Sequence, residues 1–315
     1  MGGTNSRLAL FEDSNILALE IFPSSQYASF RDVVRAFRKQ HDQPIESACF
    51  GVAGPVREGK SHLPNLAWPE IDAFALAEDL DVRVRIANDL EANAHGIALL
   101  HQADLVTISA GGPDSPGNRA LISAGTGLGE AGIFFDGRDY MPWACEGGHS
   151  DFAPRNEVEI ALLEFLLGEF EHVSVERVLS GPGLHNIYRF LRDTGRAVEP
   201  PELAAEIEAH GGSSVISDHG LKGHIEICVQ ALELFVSIYG AEAGNFALKC
   251  MATGGVYIGG GIAPKILGKL LLPPFHEHFC AKGRSRPLME SMPLHVILND
   301  KTALLGAGRL ALLSL

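Results

Sequence analysis

The 315-residue chain is longer than the commonest single-domain size and reads as two lobes. Hydrophobic residues make up 46% of it and the formal net charge is −14, which supports a sizeable core and disfavours a nucleic-acid groove. Five scattered cysteines with no Cys-x-x-Cys pair, no apolar run near the roughly 20 residues of a membrane span and no secretory leader read as a reduced, cytoplasmic chain without structural zinc or a membrane partner.

The chain opens on Met1-Gly2-Gly3-Thr4-Asn5. Glycine has no Cβ, so its N–H groups can converge on an anion, and this stretch reads as a phosphate turn. Such a turn normally joins two strands. Residues 7–11 read as the second, and the sequence holds no strand ahead of the turn. Strand patterns follow at 16–22, 48–53 and 82–87, with helical patterns at 30–39, 71–80 and 90–100. The Gly- and Pro-rich loop 111–118 marks either a passage between lobes or a surface excursion. Beyond it, 119–123 and 131–135 form a hairpin-like pair. Helices are expected at 158–170, 174–179, 183–192 and 201–210, then a long apolar-striped stretch from about 222 to 251. "GGVYIGGGIAPK" reads as a strand, a glycine turn and a helix start; a last strand at 294–298 and a closing helix at 302–313 complete the chain.

Five stretches carry chemistry. "VRVRIANDLEANAHG" ends a strand on Asn88-Asp89 and then turns helical. Ligands bind outside the carboxyl ends of strands in open α/β sheets, and a carboxylate there can take a proton from a hydroxyl. Asp89 can equally be a helix cap. "CEGGHSDFAP" sets Glu146 and His149 around two glycines, suited to paired hydrogen bonds with a polyol but too few for a metal set. Glu176 opens a short helix, where Glu is common for dipole reasons alone. "SAGTGLGEAG" is a second phosphate-type turn at Gly125, Thr126 and Gly127. Gly127–Gly132 also matches G-x-G-x-x-G, but a strand pattern follows where a dinucleotide site needs a helix. Gly259, Gly260 and Gly261 form a third glycine turn, able to seat a base or ribose.

Taken together, "GGTNSRLAL", "PNLAW", "IANDLEA", "AGTGLGEA", "EGGHSDFAP", "VERVLSGPGL", "GGVYIGGGIAPK" and "LLGAGRLAL" resemble the bacterial glucokinase family of the sugar kinase/actin-like ATPase superfamily, over nearly the whole chain. The resemblance implies an α/β, two-lobed actin-like ATPase (ribonuclease H-like) fold, with mixed sheets flanked by helices and the first strand missing. It implies a small lobe at 1–100, joined by a C-terminal helix at 300–315, and a large lobe at 101–299. It implies ATP-dependent phosphorylation of glucose at the 6-hydroxyl, with Mg²⁺. Asp89 matches the catalytic base. Asn65, Asn88, Glu146, His149 and Glu176 match sugar contacts. Gly2, Gly3, Thr4 and Asn5, then Gly125, Thr126 and Gly127, match the phosphate turns, and Gly260 and Gly261 the adenosine side. The family also offers a homodimer.

The departure lies at the start. The family pattern is Asp-x-Gly-Gly-Thr, and Met1 stands directly before Gly2, so the carboxylate that helps place Mg²⁺ is missing and the metal ligands are unknown. A sugar-binding pseudokinase is therefore a second expectation. A nicotinamide-dependent oxidoreductase, resting on Gly127–Gly132, is a third.

Overall fold

The protein is described here by a computed structural model, which covers residues 5–13, 15–63, 66–112 and 116–314. It divides into two compact units. One comprises Met1–Ala103, Met141–Ala144 and Asn299–Leu315; the other comprises Asp104–Tyr140 and Cys145–Leu298.

The first unit begins with an antiparallel hairpin, β1 (Asn5–Glu12) and β2 (Asn15–Pro23). Alternation places Leu8 and Leu10 inward. Helix α1 (Phe30–Gln40) starts at Ser29, whose hydroxyl accepts from the Asp32 N–H at 3.2 Å. It buries Phe30, Val33, Val34 and Phe37, the i, i+3, i+4, i+7 stripe that the sequence pattern predicts. Strands β3 (Ser47–Val52), β4 (Lys60–Ser61) and β5 (Ile71–Asp72) precede α2 (Ala73–Leu80), β6 (Arg83–Asn88) and α3 (Asp89–Gly96). Strand β6 runs parallel to β3, with Val52 opposite Asn88.

The closing helix Thr302–Leu312 packs on α3 at very close range. A Cβ on Gly96 would overlap the Thr302 carbonyl, and one on Gly306 would overlap the Ala92 carbonyl. Only glycine at both positions lets the two backbones approach this far.

Strand β1 pairs only with β2, and β3 only with β6, so each keeps one edge without a ladder partner among the described residues. Both strands border one cavity of about 780 Å³, which reaches from Leu10 and Phe37 to Cys49, Gly51, Asp89 and Ala307. A leading strand joined to β1 by a turn has to lie on the edge of β1 that β2 leaves open. The slot is also lined by Phe30, Val34 and Phe37 of α1 and by Ala303, Leu304 and Ala307 of the closing helix, so an apolar strand suits it. Adding such a strand, ending in Asp-x, ahead of Gly2 is expected to raise Tm by about 5 °C or more, because each kcal/mol is worth several degrees in a unit of this size. Thermal melts of the two chains check this. Equal Tm values would show that the slot is not a strand site.

The second unit runs β7 (Leu105–Ser109), β8 (Arg119–Ala124) and β9 (Leu128–Phe135), then α4 (Glu157–Leu167), α5 (Gly181–Asp193), α6 (Pro201–His210), α7 (Gly212–Lys222) and α8 (Glu226–Cys250); of β10 (Tyr140–Cys145) only the two end residues belong to it. It ends with β11 (Val256–Gly259), α9 (Leu267–Leu270), α10 (Pro273–Cys280), α11 (Arg286–Glu290) and β12 (Leu294–Ile297). The strands lying wholly within the unit have the order β9-β8-β11-β12-β7. The central pairs β8–β11 and β11–β12 are parallel, and β8–β9 and β12–β7 are antiparallel. Helix α8 is long and apolar enough to cross a membrane, but 72% of its most apolar window is buried inside the structure, so it serves as the core helix. The described ends of the 111–118 loop, residues 111–112 and 116–118, fall between β7 and β8 inside this unit, so the loop is not the passage between the units.

One local expectation is corrected here. No helix starts at the third glycine turn: β11 stops at Gly259, turns fill 260–266, and only the four-residue α9 follows.

Candidate active site

In the first unit, β6 delivers Asn88 and Asp89 at its carboxyl end, and α3 starts there. The cap is Asn88. Its Oδ1 accepts from the Leu90 N–H at 2.8 Å and the Glu91 N–H at 3.3 Å, and its Nδ2 donates to the Gly54 carbonyl at 3.2 Å. Asp89 occupies the first helical turn, where the helix dipole favours an anion, and its Oδ1 also accepts from the Leu90 N–H at 3.0 Å. Its carboxylate borders the 780 Å³ slot. Asn5 is exposed at the start of β1. Gly2, Gly3, Thr4 and Asn65 lie outside the described residues. Trp68, which follows Asn65 in the same motif, is buried and donates its indole N–H to the Tyr27 carbonyl at 2.8 Å, a structural role.

In the second unit, the three remaining motifs meet around the turn between β8 and β9. The Gly125 N–H donates to the Gly127 carbonyl at 2.8 Å, which closes the turn. The N–H of Gly181, first residue of α5, donates to the Gly125 carbonyl at 2.8 Å. From the third glycine turn, the Ile262 N–H donates to the Ala124 carbonyl at 3.2 Å. Gly260 has φ +83°, and a Cβ there would overlap the same carbonyl. Gly125 and Gly261 have no atom within 4 Å of where a Cβ would stand. Two glycine turns are therefore brought together, with open space in front of each: a cradle for a phosphate-bearing ligand.

The Glu-Gly-Gly-His stretch is a 3-10 turn over Gly147–His149. The His149 N–H donates to the Glu146 carbonyl at 3.0 Å, so both side chains leave one turn. His149 Nε2 lies 3.9 Å from Glu146 Oε2, with side chains 63% and 68% exposed. The turn rests on β9, since a Cβ on Gly148 would overlap the Leu128 carbonyl. Glu176 joins it: the Val175 N–H donates to the Ser150 carbonyl at 2.9 Å. Glu176 sits in a 3-10 turn, Val175–Arg177, and its Oε2 accepts from the Leu128 N–H at 2.8 Å. It is thus tied to the second glycine turn as well as adjacent to the first-named pair. Two exposed hydrogen-bonding groups on one fixed turn, with a carboxylate beside them, can bind vicinal hydroxyls.

The G-x-G-x-x-G match of Gly127–Gly132 falls inside β9 and its preceding turn, with no helix after it, so it is not a dinucleotide fingerprint. Sequence reasoning missed Glu130. It lies in the same match and is 1% exposed. A lone charge in the apolar run Leu128–Phe135 was the signal available for it.

The family model Glucokinase matches residues 1–313. The chain is 41% identical to the glucokinase of a Nostoc species over 98% of this chain and 96% of that protein. It is 36% identical to the Synechocystis glucokinase over 98% and 95%. Among solved structures, glucokinase from an Antarctic psychrotroph is 30% identical with a TM-score of 0.84, covering 99% of this chain and 96% of that one. A ROK family glucokinase from Streptomyces griseus, in complex with glucose and AMPPNP, shares the fold at 21% identity and a TM-score of 0.67, over 99% and 97%. The two-lobed fold expected from sequence and the motifs along it agree with these likenesses, and the chain belongs to the glucokinase family.

Proposed function

We propose that this chain transfers the terminal phosphoryl group of ATP to the 6-hydroxyl of glucose, giving glucose 6-phosphate and ADP. The observation that carries the reading is the end of β6. Asn88 caps α3, so Asp89 is held at a strand's carboxyl end with the capping task already filled. Asp89 acts as general base: it takes the hydroxyl proton as that oxygen attacks the phosphorus. Asn88 offers the second hydrogen of its amide to a sugar hydroxyl. Glu146, His149 and the second oxygen of Glu176 recognise the other hydroxyls. The amides around Gly125, Thr126 and Gly127, with Gly260 and Gly261, hold the nucleotide, and Gly2, Gly3, Thr4 and Asn5 complete the phosphate contacts. Phosphoryl transfer asks a protein chiefly for such positioning and charge stabilisation.

Glucose and AMPPNP, named for the Streptomyces griseus neighbour, are the ligands that this reading calls for. Among the described residues no group of three or more His, Cys, Asp or Glu side chains forms a metal cage. Mg²⁺ would be carried mainly on the phosphates of ATP, since this ion keeps its waters and takes one or two carboxylates. When bound with ATP it supplies neutralisation of phosphate charge. A homodimer accompanies the reading as an implication of the resemblance, and a cytoplasmic location as the reading of the scattered, unpaired cysteines. No observation favours a pseudokinase.

Asp89→Asn is expected to lower kcat by about 10²–10⁴ while changing glucose KM far less, because Asn keeps the shape and loses the base. A coupled assay checks it; undiminished turnover would reduce Asp89 to a helix-end residue. Glu146→Gln and His149→Ala are each expected to raise glucose KM, through loss of hydrogen bonds worth about 1.5–3 kcal/mol, and to blur selection among hexoses. Glucose KM unchanged with ATP KM altered would move this turn to the nucleotide side.

A further inference from the structure

Glu130 is buried beneath the Glu-Gly-Gly-His turn and the reaction makes no use of it. Both its carboxylate oxygens are without a hydrogen-bond partner among the described residues, although the residue is 1% exposed. A Cβ on Gly147 would overlap this carboxyl group, so Glu130 packs directly against the Gly147 backbone. The glycine at 147 is required by the glutamate at 130. Gly147 is flanked by Glu146 and lies two residues before His149.

The groups around Glu130 do not favour its anion on balance: burial and the charge of Glu242 outweigh the attraction of Lys249. From α8 it meets Glu242, Lys249 and Cys250; from β10 it meets Cys145, whose thiol donates to the Glu130 backbone carbonyl at 3.5 Å. Ile122 stands opposite it on β8. Lys249 Nζ lies 3.9 Å from Glu242 Oε1, so Glu130 shares that cation with a second carboxylate.

We propose that Glu130 is a positioning residue for sugar binding: its carboxyl group, packed beneath Gly147, sets the conformation of the turn that carries Glu146 and His149. The inference rests on the assignment of that turn to the sugar. A neutral carboxyl fits this dry space. The anion has no partner there and draws in water, which lifts Gly147 and displaces the residues on either side. Burial, followed by the charge of Glu242, pushes Glu130 up to about 8, so the group is neutral near pH 7 and ionises just above it. The folded value lies above the unfolded one, so the folded state holds the extra proton in between. Stability and sugar affinity are both highest at low pH and fall as pH rises through about 8.

Glucose KM and kcat measured from about pH 6.5 to about pH 9 for the wild type and Glu130→Gln test this. If only the neutral form binds sugar well, wild-type glucose KM rises about tenfold between about pH 7 and about pH 9, with kcat changing much less. Glu130→Gln cannot ionise and keeps the shape, so its KM stays flat over that range. Lys282, held by the Ala241 carbonyl and Asn245, also titrates near about 8, so the difference between the two proteins is the readout. Identical KM profiles for wild type and Glu130→Gln overturn the proposal. Should the variant fail to fold, a flat wild-type glucose KM across the same range overturns it. Glu146→Gln distinguishes the underlying reading: if that variant leaves glucose KM unchanged, the turn is not the sugar turn, whatever Glu130 does.

Discussion

The backbone of five residues, Ala124 to Leu128, is the constraint on which the second unit depends. Three of its polar groups are claimed by three different elements. The Ala124 carbonyl takes the third glycine turn through Ile262, and the Gly125 carbonyl takes the start of α5 through Gly181. The Leu128 N–H is bound by Glu176, and its carbonyl has Gly148 against it. Buried backbone groups must be paired, so these bonds fix where the neighbouring turns can lie. They also explain the glycines. At 127, 148 and 260 a Cβ would overlap Glu176, Leu128 or Ala124, so the small residues follow from convergence on one hairpin rather than from loop flexibility.

The first unit solves a different problem with the same residue type. Its strand end must present a carboxylate while a helix begins at the same point. Asn88 and Asp89 divide the work: the neutral amide caps the helix, and the acid sits in the first turn, where the dipole stabilises its charge. Gly96 and Gly306 then let the closing helix lie against α3, so residues from the far end of the sequence brace the helix that starts at Asp89. The slot between β1 and β3 is the unbraced side of this arrangement. Among the described residues, two strand edges without a ladder partner leave Asp89 bordering a cavity rather than a packed sheet.

Most of this was legible in the sequence, and the reasons for the misses are physical. Strong periodicity located α1, α6, α8 and the closing helix, and alternation located β1, β2, β3 and β6. Strand β7 escaped because it is a five-residue edge, defined by its pairing with β12 rather than by its own pattern. Helix α7 opens on Gly212-Ser213-Ser214, which has loop propensity; burial of Val215 and Ile216 overrides it. The helix expected after the third glycine turn was a propensity reading, defeated by the tie from Ile262 to Ala124. For the candidate site, the residue types and their spacing on one chain were readable. What could not be read was the tertiary bond from Glu176 to Leu128, or that Glu130 lies under Gly147, since neither pair is close in sequence.

These differences bear on how a sugar can be told from its epimers. Recognition groups that swing freely would follow a misplaced hydroxyl and discriminate poorly. Glu146 and His149 have exposed tips, but their backbone is overdetermined: Gly147 rests on Glu130, Gly148 on Leu128, and Ser150 is tied to Val175. If this turn binds the sugar as proposed, a hydroxyl of the wrong configuration would meet side chains whose backbone cannot follow it, and a polar group left unpaired costs more than a weak bond gains. On the proposed reading, selectivity would come from the support beneath the turn at least as much as from the two side chains on it.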